Sequence, residues 1–323
     1  MKVLIAVAFA SLYGLTVRVL FGFMDNVMEI MGITFLALVP ALIGFITIIL
    51  LPKHKEVSWV GAFFIPWLTC AALLVITIAV SLEGSICWVM VYPFFAALAG
   101  VGGVLANAVR KRKKRIVGSN KWGNPNVLNV SAILMLPMLL GFFEGDNALT
   151  LQVLVIKKEI SINADAARVW YALTNINEIK EKEHSTSLSE VLGFPKHINT
   201  MLDTLCLGGK RIANYERGLY FNETITCCIP EKLLSLTIKT DPGKIPSTVM
   251  DEHILIGGRH LDILSDSYEL EKLSDGNTRL TLSSRFSICT PFNWYASIWA
   301  RYLMSDILQG ELELIKKRCT PEP

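Results

Sequence analysis

The sequence lacks the motifs that usually announce an activity. Its 323 residues hold no Gly-x-Gly-x-x-Gly and no Gly-x-x-x-x-Gly-Lys-Ser/Thr, so no nucleotide cofactor is signalled. There is no Gly-x-Ser-x-Gly and no setting for a catalytic cysteine. The five histidines are His54, His184, His197, His253 and His260, with no His-Glu-x-x-His among them. His253 and His260 flank Gly257-Gly258, too far apart for one helix face, so they read as hydrogen-bonded loop or strand histidines and no metal site is expected. The seven cysteines are an odd number without a Cys-x-x-Cys, which excludes a zinc ribbon and a thioredoxin-like redox motif. Cys227 and Cys228 are neighbours on an expected strand and point to opposite faces, poorly placed to bond each other. Cys70 and Cys87 lie in apolar stretches, and the set reads as free structural thiols.

Charge is scarce in one half only. Residues 1–150 carry 11 Lys/Arg and 6 Asp/Glu, whereas residues 151–323 carry 20 and 22. A spanning helix needs about 20 largely apolar residues. Val3–Phe23, Ile30–Leu51, Val57–Leu82 and Ile86–Val109 meet that need, and Val127–Phe143, which contains Pro137, is the short fifth candidate. The first run is too long for a signal peptide and no cleavage site follows it. Lys2, the loop Lys53-His54-Lys55 and the run Arg110-Lys111-Arg112-Lys113-Lys114-Arg115 fall on one side of an up-down arrangement, which the positive-inside rule makes cytoplasmic. The other loops hold Asp25, Glu29 and Glu83. A spanning fifth segment then puts the C-terminal domain outside the cytoplasm. The basic run abuts a membrane helix and reads as a topology determinant in contact with anionic lipid, not as a nucleic-acid site. Arg18, inside the first segment, is expected to snorkel or to pair with Glu29, Glu83 or Glu144. Gly100, Gly102 and Gly103 predict close helix contact.

The transmembrane domain is read as residues 1–145 and a soluble domain as 151–323. Gly145-Asp146-Asn147 breaks the apolar pattern. A strand is expected over Val153–Asn163, then a helix capped by Asp165, then a short helical or irregular stretch to about residue 205. Strands follow at Lys210–Glu216, Leu219–Cys228, Lys232–Thr240, His260–Leu273 and Thr278–Thr290, separated by turns such as Arg217-Gly218 and Ser274-Asp275-Gly276-Asn277. A long helix closes the chain over Phe292–Arg318. Trp294, Ile298, Trp299, Tyr302, Ile307, Leu308, Leu312 and Ile315 mark its apolar side, and Glu311, Glu313, Lys316 and Lys317 its wet side.

That order of elements, with Ala164 through Trp170 after the first strand, resembles the START-like superfamily (SRPBCC, or polyketide cyclase/dehydrase-like). Tyr268-Glu269-Leu270 followed by Thr278-Arg279-Leu280-Thr281-Leu282 is similar to the family's final hairpin. The resemblance implies an antiparallel sheet gripping the C-terminal helix, with a cavity for a hydrophobic small molecule or lipid between them. It implies no activity, because function lives in the site and not in the fold. The whole chain, through Glu83-Gly84-Ser85-Ile86-Cys87 to Pro93 and the Gly257-Gly258 segment, is similar to membrane-linked START-like proteins of bacteria, which implies an inner-membrane location.

The residues expected to face such a cavity are Arg211, Tyr215, Glu223, His253, Tyr268 and Arg285. Alternation puts Phe221, Glu223 and Ile225 on one face, and a carboxylate among apolar neighbours suits acid–base work or ligand anchoring. The bland alternative is a cross-strand ion pair on the outer face, with Arg211 or Arg285. Trp294 and Trp299 read as packing residues or as ligand stackers. Three functions stay open: a membrane-anchored binding module for a hydrophobic ligand, a cyclase, dehydratase or hydrolase using Glu223 or His253, and a regulatory membrane protein that binds a protein partner.

Overall fold

The computed structural model describes residues 2–24, 32–52, 56–80, 82–117, 127–144, 149–184, 187–244, 255–274 and 276–320. His253, the loop Lys53-His54-Lys55, Asp25, Glu29 and Gly145-Asp146-Asn147 lie outside them. The chain forms two compact units, Met1–Leu149 and Thr150–Pro323.

The first unit is helical. It comprises α1 (Lys2–Phe23), α2 (Val39–Ile49) entered through a π-helical turn at Thr34–Leu38, α3 (Trp59–Ala79), α4 (Ser85–Val117) and α5 (Val127–Glu144). Val3–Phe23, Trp59–Ala79 and Ile86–Arg112 are long and apolar enough to cross a membrane. The second expected span is realised as the shorter apolar helix Thr34–Ile49. Pro40 at its start lacks an N–H and clashes with the preceding turn, which fits the widened π turn there. Large apolar side chains such as Leu4, Phe9, Leu12, Val60, Phe64 and Leu68 are exposed on α1 and α3, the inside-out pattern a lipid solvent permits. Glycine sets the α2–α4 contact: a Cβ on Gly44 would lie 1.8 Å from the Ala99 carbonyl oxygen, and one on Gly102 1.8 Å from that of Ala41. Arg18 pairs with Glu83, one of its three expected partners. Glu144 accepts from the amides of Ile33 and Thr34 at 2.5 and 2.8 Å, where a helix N-terminus favours an anion. Arg110, first of the basic run, donates to the carbonyls of Ile48 and Pro52 at the C-terminal end of α2.

The second unit is one antiparallel sheet of seven strands around a helix. The strands are β1 (Leu151–Ile162), β2 (His197–Leu202), β3 (Lys210–Tyr215), β4 (Tyr220–Ile229), β5 (Leu233–Lys239), β6 (Leu261–Lys272) and β7 (Thr278–Cys289), in the order β1-β7-β6-β5-β4-β3-β2. Short α6 (Ala166–Thr174) and α7 (Leu188–Val191) follow β1, and the long α8 (Asn293–Cys319) ends the chain. Asp165 caps α6 by accepting from the Arg168 amide at 2.8 Å. One side of the sheet, α6 and α8 share a core that includes Leu154, Ile162, Trp170, Leu234, Leu280, Phe286, Leu308 and Leu312. β2 was not expected: His197–Leu202 sits in the stretch read as helical or irregular, and its pairing with β3 defines it. It is an edge strand of six residues, too short and too polar to show a period-two signal. The turn before β4 needs left-handed backbone at Arg217 (φ 57°) and Gly218 (φ 81°), where the sequence placed a turn.

A buried polar cluster as the candidate functional site

The inner face of the sheet is not uniformly apolar. Alternation turns Arg211, Ala213 and Tyr215 of β3 to one side, and on β4 it turns Phe221, Glu223 and Ile225, as expected. The register sets Arg211 directly opposite Glu223. Both are buried, at 4% and 6% exposure, which burial of charge permits only with a partner. The pair is the cross-strand ion pair expected for Glu223, but it lies on the inner face. Arg211 Nε is 3.1 Å from Glu223 Oε2. The N–H is off the line to that oxygen, so the contact is Coulombic, and neither Glu223 Oε2 nor Arg211 Nη1 has a hydrogen-bond partner among the described residues.

Other polar groups converge on this pair. The Arg211 guanidinium sits 5.7 Å from the Tyr268 ring centre. On β6, Asp266 shares its face with Tyr268 and is register partner of Ser284 on β7. Asp266 Oδ1 and Ser284 Oγ also lack partners among the described residues. From β2, His197 stacks on Tyr215 at 4.8 Å, with Nε2 2.9 Å from Thr200 Oγ1. Its Nδ1 is 3.2 Å from Glu311 Oε2 of α8, while Glu311 Oε1 is unpartnered among the described residues.

Burial and mutual charge set the protonation states. Burial raises Asp266 to about 7, with the neighbouring Ser284 hydroxyl pulling the other way. Burial also raises Glu223, with Arg211 pulling the other way. For Arg211, burial favours the neutral form, but Glu223 and the other neighbours overcome it and the net shift is upward. Burial pushes the phenols of Tyr215 and Tyr268 well above 10, so both stay neutral. Burial would raise Glu311, yet His197, Arg211 and Arg318 together outweigh it and the shift is downward.

A cleft leads to this cluster. It holds about 70 Å³ and lies between α8 and the segment from Ile179 to His197. That is several times the ~10–15 Å³ one water needs. Its lining includes His197, Tyr215 and Glu311, which belong to the cluster, and Gly310 of α8. A Cβ on Gly310 would meet nothing within 4 Å, so this glycine borders open space in mid-helix.

Several expectations need correction. Arg285 is exposed: on β7 the even-numbered residues Leu282, Ser284 and Phe286 turn inward, which sends Arg285 to the outer face. Trp294 is 64% exposed and shares an outward stripe at helical spacing with Ile298 and Tyr302; Trp299 is half-buried. The buried side of α8 runs instead through Met304, Leu308, Leu312, Leu314 and Ile315. Glu311, assigned to the wet side, lies beside that buried row. Its position three after Leu308 and four before Ile315 was the available signal. Asp266 and Ser284 were also missed, although both follow the parity of buried neighbours on their strands. His260 is a hydrogen-bonded loop histidine just before β6, one of the two settings expected, with Nδ1 3.0 Å from the Cys289 carbonyl oxygen. Among the described residues no group of His, Cys, Asp and Glu is arranged to hold a metal ion.

A seven-stranded antiparallel sheet closed by one long C-terminal helix, with polar groups held between them, gives the second unit the helix-grip fold that the resemblance implied. No family model and no curated protein matches the chain. Among solved structures it is similar over this half to norcoclaurine synthase from Thalictrum flavum, at 12% identity and a TM-score of 0.35, covering 54% of this chain and 98% of that one. It is similar to a START superfamily protein from Mycobacterium smegmatis at 9% identity and a TM-score of 0.34, covering 51% and 96%. An aromatase/cyclase from a Streptomyces species shows 11% identity and a TM-score of 0.34, covering 52% and 94%. The fold assignment itself rests on the strand order and the helix packing.

Proposed function

We propose that the chain is a membrane-anchored small-molecule binding protein. In this reading the helix-grip domain takes an amphipathic ligand through the cleft beside Gly310, with the ligand's polar end in the Arg211–Glu223–Asp266–Glu311 cluster. The observation that supports it is the set of polar atoms buried between sheet and helix that have no partner among the described residues. Such atoms each cost about 1–3 kcal/mol when left without a partner, so a fold that retains several is suited to a ligand that supplies one. The core around them is lined by apolar side chains such as Leu234, Leu282 and Leu308, which suits a guest with an apolar body and a polar end. Tethering to helices apolar enough to sit in lipid raises the effective concentration of any membrane-derived ligand. The full chain, purified in detergent, should yield a small molecule to organic extraction and mass spectrometry. The same extract from Gly310→Trp, whose indole fills the cleft, should lack it. Identical extracts from the two proteins would defeat the reading.

We further place the N-terminus in the cytoplasm of a bacterial cell and the helix-grip domain outside it, on the strength of the basic run from Arg110 and the fifth apolar helix. Protease added to intact spheroplasts should then digest the domain; full protection would reverse this topology.

An acid–base enzyme is the second reading. Asp266, held at about 7 and close enough to Glu223 and Arg211 to feel their charges, suits proton transfer near neutral pH. If so, Asp266→Asn should retain the extracted molecule unchanged where the wild type converts it on incubation.

A further inference from the structure

We propose that the ligand of this site binds through a protonated amine, a small organic ammonium seated against Glu223, Asp266 and Glu311. The inference rests on reading the cluster as a ligand site and names what that ligand must carry. The unpartnered atoms decide it. Four can accept a hydrogen bond: Glu223 Oε2, Asp266 Oδ1, Glu311 Oε1 and Ser284 Oγ. One can only donate, Arg211 Nη1. An ionised carboxylate has no hydrogen to give, whereas an ammonium offers three donors and no acceptor. A carboxylate or phosphate ligand would satisfy Arg211 alone and set its own charge against three acids.

The charges give the same answer independently. The groups facing the site are Arg211 from β3, Glu223 from β4, Asp266 from β6, Glu311 from α8 and His197 from β2, with Tyr215 and Tyr268 as neutral walls. Arg211 is already engaged by Glu223 at 3.1 Å, and His197 by Glu311 at 3.2 Å. Three acids therefore share two bases, and Asp266 is left without an ion-pair partner of its own among the described residues. The cleft is lined by Glu183, Glu190, Asp306 and Lys196 as well, and Glu311 belongs both to this lining and to the cluster, so it joins the entrance to the buried acids. Charge-assisted hydrogen bonds are roughly twice as strong as neutral ones, which separates an ammonium from a hydroxyl of the same reach.

The test uses three probes of one length, hexylamine, 1-hexanol and hexanoate, titrated calorimetrically into the full chain in detergent at pH 7.5. Gly310→Trp serves as the blocked control that subtracts partition into the micelle. Hexylamine should bind at least tenfold more tightly than hexanol, hexanoate should give no signal that Gly310→Trp removes, and Glu311→Gln, which keeps the side-chain shape, should weaken hexylamine at least tenfold. Circular dichroism confirms that each variant is folded. Because Asp266 titrates near 7, hexylamine binding should also release protons, seen as a heat that changes with the buffer's ionisation enthalpy. If hexanol or hexanoate binds as well as hexylamine and Gly310→Trp abolishes it, the amine is wrong and the ligand site stands. A co-purifying molecule that carries no amine has the same consequence. If no probe gives a signal that Gly310→Trp removes, and the extracts of the two proteins are identical, both readings fall.

Discussion

Removing Arg211 while leaving Glu223 in place tests the inner-face ion pair directly. Arg211→Met keeps most of the volume and deletes the charge. Glu223, 6% exposed, then has two options. It can stay ionised without its partner, which costs about 3–5 kcal/mol for a broken buried pair. Or it can take up a proton. For a carboxyl whose ordinary value is 4.5, protonation at pH 7.5 costs at most about 4 kcal/mol and at pH 5.5 about 1.4 kcal/mol, at 1.36 kcal/mol per pH unit. The sign follows from linkage. Glu223 is raised in the folded state, so above pH 4.5 the folded chain holds a proton that the unfolded chain has released, and stability falls as pH rises through that window. Deleting Arg211 removes the group that pulls Glu223 down and extends the window upward. The variant should therefore lose up to about 4 kcal/mol at pH 7.5 and markedly less at pH 5.5. Loss of the contact with Tyr268 adds about 0.5–2 kcal/mol that does not change with pH. The double variant Arg211→Met/Glu223→Leu should return to within about 1 kcal/mol of the wild type, because an apolar pair replaces a desolvated ionic one. Pulse proteolysis of the full chain across a urea series, at both pH values, measures the fraction of helix-grip domain that is folded. A penalty below about 1 kcal/mol at pH 7.5, or one equal at the two pH values, would refute the reasoning.

Asp266 gives a second pH signature: it releases its proton near 3.8 when unfolded and near 7 when folded, so wild-type stability should fall by about 4 kcal/mol across that interval. Asp266→Asn should remove that slope, seen in urea midpoints at pH 4.5, 6 and 7.5. Gly310→Ala should stabilise α8 by up to about 1 kcal/mol, because the new methyl meets open space and mid-helix glycine is costly; the same urea series reads it. Gly102→Leu should lower the temperature at which the detergent-solubilised protein aggregates, since even a Cβ there lies 1.8 Å from the Ala41 carbonyl oxygen and α2 and α4 would have to separate. Arg285→Ala, on the exposed outer face, should change stability by no more than about 0.5 kcal/mol and leave the extracted ligand unaltered.

Local pattern carried much of the architecture. Runs of apolar residues placed the apolar spans of α1, α3 and α4 to within a few residues, because about twenty largely apolar side chains in a row have few other solutions. Alternation put Phe221, Glu223 and Ile225 on one face of β4, and the register of the sheet then made that face the inner one. The six-residue edge strand β2 stayed hidden because its identity lies in its pairing with β3 and not in its own composition. Within the helix at Thr34–Ile49, the π-helical turn just before Pro40 was not legible in the apolar run.

The site divides in the same way. The sequence alone determined that one half of the chain is charge-poor and helical, that the other is a sheet closed by a long helix, and that Arg211, Tyr215, Glu223 and Tyr268 sit on strands. Parity cannot say which face is inside, nor which strands are neighbours. Only the tertiary structure brought Arg211 opposite Glu223, set Asp266 beside Ser284, and turned His197 and Glu311 toward each other from elements more than a hundred residues apart in sequence. Those meetings depend on long-range register and on the rotation of α8 over the sheet. The low-dielectric interior they create is what raises the Asp266 carboxyl and leaves polar atoms without partners. Period and composition report each segment's own preference, whereas a buried polar cluster is a property of several segments packed at once.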